Sequence, residues 1–283
     1  MKIFHHIKDL QTALDQHRKD GKTIGFVPTM GNLHDGHLSL VNIAKSHADV
    51  VVVSIFVNPT QFGAGEDFDS YPRTLDADCE KLQSIQADLV FAPSIDEIYP
   101  SYPPHVQVLS GDIAKILCGK TRPTHFDGVG LVVGKLFNIV RPDVAVFGKK
   151  DYQQLAIIRQ LNDELNFGIK IIGGEIVRNK DGLALSSRNG YLTDDELKIA
   201  SRLNQLIKSL AKDLQSSFDI EKLPNLIRDY QCKINQSGFK VDYLAVLNDK
   251  LTAPKHDDKH LVILTASYLG KVRLLDNIEV HLS

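Results

Sequence analysis

The stretch TIGFVPTMGNLHDGHLSLVNIAKSHADVVVVSIFVN, residues 23–58, decides the architecture. It opens on a short β-like run, 23–29, with a proline near its end. Leu38, Val41, Ile43 and Ala44 then recur at close to helical spacing over 36–47. Residues 48–58 form a continuous Val-rich apolar run, the pattern of a strand buried on both faces. Strand, helix and strand in this order predict a right-handed crossover between parallel strands.

The same alternation extends outward. Residues 73–86 read as a helix, 87–93 as a strand, and 128–140 as an apolar helix closed by Pro142. Strand 143–148, helix 152–165 and strand 169–174 follow. The prediction is an α/β fold, a Rossmann-like, mostly parallel sheet domain over 1–175. Ligands of such sheets bind outside the carboxyl ends of the strands. After Gly174 the pattern changes. A polar turn, 178–190, leads into a helix over 193–214, opened by a capping box of Thr193 and Glu196. A second helix covers 220–235, and strand-like runs lie at 241–247, 261–267 and 271–275. Residues 176–283 therefore form a second, smaller α+β C-terminal domain. No long flexible linker separates the two, and a cleft between them is expected.

Composition removes several functional classes. Of 283 residues, 43% are hydrophobic and 24% charged, which excludes wholesale disorder. The net charge of −2 argues against a protein that holds nucleic acid by its phosphates. No apolar run approaches the roughly 20 residues of a membrane span. The N-terminal MKIFHHIKDL lacks the apolar core of a secretory signal. Cys79, Cys118 and Cys232 are odd in number, widely spaced and outside any CxxC pattern. They read as reduced, mostly structural thiols in the cytoplasm.

The chemistry concentrates in the loop of the opening stretch. A strand end, two glycines, two histidines and a helix start put free backbone N–H groups and a positive dipole end beside His34 and His37. That is a ready phosphate site. The histidines are three apart and can share one side of the turn. A capping or buried histidine pair fits the same spacing, and both readings stand. Zinc would need further ligands that no Cys or His cluster supplies.

PTMGNLHDGH, residues 28–37, resembles the PTMGxLHxGH signature of the pantoate–β-alanine ligase family, within the HxGH nucleotidyltransferases. VSIFVNPTQF, YPRTLDAD, FAPSIDEIYP, RPTHFDGV, KLFNIVRPDVAVFGKKDYQQL and DGLALSSRNGYLT follow in the family's order and spacing, and YLGKVRLLDN fits near the C-terminus. The resemblance implies two steps. Pantoate carboxylate attacks the α-phosphorus of ATP to give pantoyl adenylate and pyrophosphate; β-alanine then displaces AMP. It implies ATP as a substrate with Mg²⁺ and a homodimer; the C-terminal domain is expected to close over the nucleotide site as a lid, because the phosphate-gripping turn lies at the domain junction.

The resemblance also distributes roles. His34, His37, Lys150, Ser186, Ser187 and Arg188 are implied as the catalytic contacts to the phosphates. Met30, Gly31, Asn32, Leu33, Asp35, Gly36, Gly148, Lys149, Asp151, Val177 and Leu185 are implied around the nucleotide. Gln61, Gln154 and Asn58 are implied for pantoate and β-alanine, since amides offer both donors and acceptors. Met30 and Phe56 could wall that pocket. Asp76 and Asp78 could reach the waters of Mg²⁺, but a solvated helix face is the expectation. Departures are Lys149 where an acid is common, Cys118 where Glu is usual and Thr124 where Gly is usual. The rivals are another HxGH nucleotidyltransferase or adenylating enzyme, and a non-catalytic nucleotide-binding module.

Overall fold

The computed structural model describes residues 1–282. Its elements are strands β1 (Lys2–Phe4), β2 (Ile24–Thr29), β3 (Val50–Ile55), β4 (Leu89–Phe91), β5 (Val144–Gly148) and β6 (Lys170–Gly174), then β7 (Lys240–Asn248), β8 (His260–Leu269) and β9 (Val272–His281). Helices are α1 (Ile7–Lys19), α2 (Asp35–Lys45), α3 (Leu75–Ser84), α4 (Ile95–Ile98), α5 (Cys118–Thr121), α6 (His125–Val140), α7 (Tyr152–Glu164), α8 (Asp194–Ala200), α9 (Arg202–Ser216) and α10 (Leu223–Gln236). No described helix is long and apolar enough to cross a membrane.

The first six strands form one sheet in the order β1-β4-β3-β2-β5-β6, and every pair is parallel. The Val run of β3 is buried on both faces. Val50 and Val52 belong to one apolar layer, while Val51 and Val53 face the opposite one. Burying a valine side chain is worth ~1.5–3 kcal/mol, so a central strand that opens on four buried valines fixes the sheet's position between its helix layers. The phenyl rings of Phe26, Phe137 and Phe147 meet edge to face in the first layer, at centroid distances of 6.5 and 6.2 Å.

The last three strands form an antiparallel sheet in the order β7-β8-β9. Leu203, Ile207, Leu210 and Leu214 line one face of α9 and join Leu244, Val246, Ile263 and Leu274 of that sheet in a separate core. By contacts, residues 1–149 and 153–175 form one compact unit, and 150–152 with the chain from 176 onward form the other. Residues 150–152 thus leave the first domain, where the sequence pattern places them.

Several elements differ from expectation for local reasons. β1 pairs with β4 through only three residues, too few to carry a periodicity. α6 begins at His125, three residues before its apolar run. The helix expected over 193–214 is two, α8 and α9, separated at Ser201. α10 begins later than expected, with Pro224 in its first turn. β9 runs on to His281, well past the expected end at Leu275.

Candidate active site

In the parallel sheet, β3 and β4 step away from β2 on one side, and β5 and β6 lie on the other. The topological switch point therefore falls between β2 and β5, which pair through Gly25–Val144 and Phe26–Ala145. Ligands of open α/β sheets sit outside the strand ends at such a point. The loop after β2 carries Met30 to His34, and β5 ends on Gly148, followed by Lys149. The turn after β3, next door, carries Asn58 and Gln61.

His34 is the N-cap of α2 and His37 is its third helical residue. The backbone N–H of Gly36 donates to His34 Nδ1 at 3.1 Å. His34's own N–H donates to His37 Nδ1 at 3.2 Å, and the two ring centroids are 4.1 Å apart. A ring nitrogen that accepts an N–H carries no proton. Each neutral imidazole is thus locked as the tautomer with its proton on Nε2, which makes Nε2–H a donor at the positive end of a helix. The capping and phosphate-site readings of this pair describe one arrangement: the caps set the donors.

The loop before the pair is tied down from α3. Asp78 accepts from the backbone N–H of Asn32 (2.9 Å) and Leu33 (2.7 Å) and from Thr74 Oγ1 (3.1 Å). Lys81 Nζ donates to the Leu33 carbonyl at 2.6 Å. Gly31 sits at φ +81°, and a Cβ there would come within 3.0 Å of the Asp78 carboxylate. The expected solvated face is corrected for Asp78, which is wholly buried and bonds the loop backbone; Asp76 is exposed. The signal for it in the sequence is one carboxylate on the apolar face of a helix, paired with a distant loop rich in free N–H groups.

Gln61 is buried against that loop. Its Nε2 donates to Met30 Sδ at 3.0 Å, and its Oε1 accepts from Asn58 Nδ2 at 3.1 Å. Asn58 is a buried hub. Its Nδ2 also donates to the Gly128 carbonyl, and its Oδ1 accepts from Thr60 and from the Tyr99 hydroxyl, the latter at 2.8 Å. Burial pushes the Tyr99 phenol up to about 12, so it stays a donor at neutral pH. Phe56 is core, 6.2 Å from the Tyr99 ring. Gly128 must be glycine, because a Cβ would lie 2.1 Å from the Thr60 carbonyl oxygen.

Three further residues grip the Gln61 turn, none assigned a role by the sequence. His125 Nδ1 lies 2.8 Å from the Gln61 carbonyl, and Arg122 donates to the same oxygen at 3.4 Å. Arg122 also makes a two-pronged pair with Glu66, with Nε to Oε1 at 2.6 Å. Burial raises the Glu66 carboxyl, but hydrogen bonding and the charge of Arg122 outweigh it and hold the group below its usual value. Just past the end of β5, Lys149 Nζ pairs with Glu175 Oε1 at 2.6 Å, so its departure from the usual acid is balanced by a neighbouring carboxylate. The adjacent glutamines of α7 divide their work. Gln153 is buried and bonds Ile113, Ile116 and Cys118 backbone, whereas Gln154 is half-buried on the first turn.

The other residues that the sequence predicts for phosphate belong to the second unit. Lys150 Nζ lies 3.7 Å from Asp151 Oδ1. Val177 gives its carbonyl to Leu185 N–H at 2.9 Å, and Arg178 bridges to Ala184, which closes the 178–184 turn. Ser186 Oγ accepts from Arg188 N–H at 3.3 Å. Ser187 and Arg188 continue the turn into a short 3₁₀ helix, Asn189–Tyr191. Lys150, Ser186 and Asn189 share one recess with Asn204 and Asp276. Asn189 Oδ1 there is buried without a hydrogen-bond partner. Cys79, Cys118 and Cys232 form no disulfide, and burial followed by Asp78 and Asp76 raises the Cys79 pKa, which suits an inert group.

A parallel sheet with histidine donors fixed at its switch point defines a class, the α/β enzymes that handle phosphorylated ligands at strand ends. Comparison with known proteins narrows it. The model of the pantoate-beta-alanine ligase family matches residues 2–279. The pantothenate synthetase of Psychrobacter sp. (strain PRwf-1) is 60% identical over 282 residues, 98% of each chain. Among solved structures, the pantothenate synthetase of Thermus thermophilus superposes with a TM-score of 0.91 at 37% identity, covering 99% of this chain and all of the other. The pantoate-beta-alanine ligase of Francisella tularensis, solved with beta-gamma ATP and beta-alanine, gives 0.81 at 39% identity, covering 98% and 97%. The chain belongs to the pantoate–β-alanine ligase family.

Proposed function

We infer that the chain joins pantoate to β-alanine in an ATP-dependent reaction that yields pantothenate, AMP and pyrophosphate through pantoyl adenylate. The observation that carries the chemistry is the reciprocal cap of His34 and His37. A carboxylate with a pKa near 4 is already ionised at neutral pH, so the first step needs no base. It needs donors aimed at an anionic phosphorus, and these must not reorganise as charge develops. Two Nε2–H groups held by their own backbone meet that need. Lys150, Ser186, Ser187 and Arg188 serve as the remaining phosphate contacts, and the nucleotide residues keep the roles the sequence resemblance gives them. Gln61 and Gln154 bind pantoate, with Asn58 holding the Gln61 amide in place.

Mg²⁺ enters as the ATP complex. Among the described residues no three His, Cys, Asp or Glu side chains converge as a metal cage, and Asp78 spends its oxygens on backbone. A phosphate-borne ion that keeps its waters fits this donor set. The second unit acts as the lid that keeps water from the adenylate. The enzyme works as a cytoplasmic homodimer, and sedimentation of the purified protein checks the oligomeric state. The test of the reaction is ATP–pyrophosphate exchange without β-alanine. Exchange that requires pantoate is expected; silence there and with all three substrates together would overturn the reading.

A further inference from the structure

We propose that Asn277, seated by Asp276, is a positioning residue for Lys150 in adenylate formation, an inference that rests on the function proposed above. The two residues sit side by side in the middle of β9, opposite Thr265 and Leu264 of β8, and are 5% (Asp276) and 4% (Asn277) exposed. Adjacent buried polar residues in a strand are costly unless each atom is paired.

Asp276 is fully paired inside its own unit. Arg178 reaches both carboxylate oxygens at 2.7 Å, Asn204 Nδ2 donates at 3.1 Å, and the Asn277 backbone N–H donates at 2.8 Å. Arg178 also donates to the Gly182 carbonyl at 3.1 Å. One carboxylate thus anchors the 178–184 turn, which leads directly into Ser186–Arg188. Asn277 makes the second connection. Its Nδ2 donates to the Lys150 carbonyl at 2.9 Å. Lysine reaches its target through a flexible four-carbon stem, so the protein controls the ammonium mainly by fixing the stem's base. Here the base is held from the strand that holds the phosphate turn, and Lys150 and Ser186 line the recess that Asp276 also lines. A displacement of about 1 Å at such a group can cost roughly 100-fold in rate. This accounts for the YLGKVRLLDN block, which otherwise has no chemical role.

The test is rapid-quench measurement of pantoyl adenylate in single turnover, with Asn277→Leu and Asn277→Ser. The first keeps the shape and loses the donor; the second removes the reach. Amplitude counts folded enzyme, whereas the rate constant reports positioning in each folded molecule, so even a partly folded variant is informative. The expected result is a rate constant lowered roughly 10- to 100-fold with pantoate KM within about twofold of wild type. Rate constants within about twofold of wild type in both variants, at whatever amplitude, would make Asn277 a purely structural residue and overturn the proposal. A wild-type enzyme that forms no adenylate would instead overturn the functional reading.

Discussion

Two polar loops carry the proposed phosphate contacts, and each is fastened by one buried aspartate, but in different ways. Asp78 holds the histidine loop through two backbone N–H groups and a hydroxyl. Asp276 holds the 178–190 turn through the guanidinium of Arg178, helped by Asn204 and a backbone N–H. In the first loop the charge faces dipoles; in the second it faces a full counter-charge. The loop before the helix turns the N–H groups of Asn32 and Leu33 onto the carboxylate, so charge–dipole bonds organise it, with Lys81 on the Leu33 carbonyl. The second loop has only a short 3₁₀ turn, and a planar ion pair does the organising.

That contrast can be broken in order of expected effect. Asp276→Ala leaves Arg178 without its partner and should cost about 3–5 kcal/mol in urea unfolding. Replacing both members by apolar residues of similar size should recover most of it. An Asp276→Ala protein as stable as wild type would remove the ion pair from the account. His37→Ala should lower turnover by at least ~100-fold, since it deletes a fixed donor to the developing charge. Activity within tenfold of wild type would show that the capped imidazole is only structural. Asp78→Asn should cost about 1–3 kcal/mol, because an amide nitrogen now opposes a loop N–H. It should also slow adenylate formation; unchanged activity would detach Asp78 from the histidine loop.

The smallest effect belongs to Glu66. Its folded pKa is below the ordinary 4.5. The pair with Arg122 therefore contributes fully above that value and fades as pH falls through the folded one. Glu66→Gln should remove this part of the acid limb in a plot of melting temperature against pH. Parallel wild-type and variant curves below pH 5 would exclude it.

The sequence exposes what repeats or stands in a chemically legible run. The Val strand, the helix after His34 and the strand end at Gly148 are all readable, and so is the edge of the sheet to which they lead. Partnerships between distant residues stay hidden. Asp78 reads as a solvated helix residue because its bonds run to backbone N–H groups 45 and 46 positions away. Asp276 and Asn277 interrupt the apolar pattern, so the strand is expected to end at Leu275. It continues because both polar side chains find partners inside the fold. Gln153 and Gln154 are neighbours of identical type, and only burial separates the structural one from the candidate ligand.

The central claim is that pantoate is activated as its adenylate. Pantoate labelled with ¹⁸O in the carboxylate tests it most directly. Attack on the α-phosphorus followed by amine attack at the acyl carbon breaks the labelled C–O bond and leaves that oxygen on AMP. One ¹⁸O per AMP, read by mass spectrometry, is the predicted result. AMP without label, or label in inorganic phosphate, would contradict it.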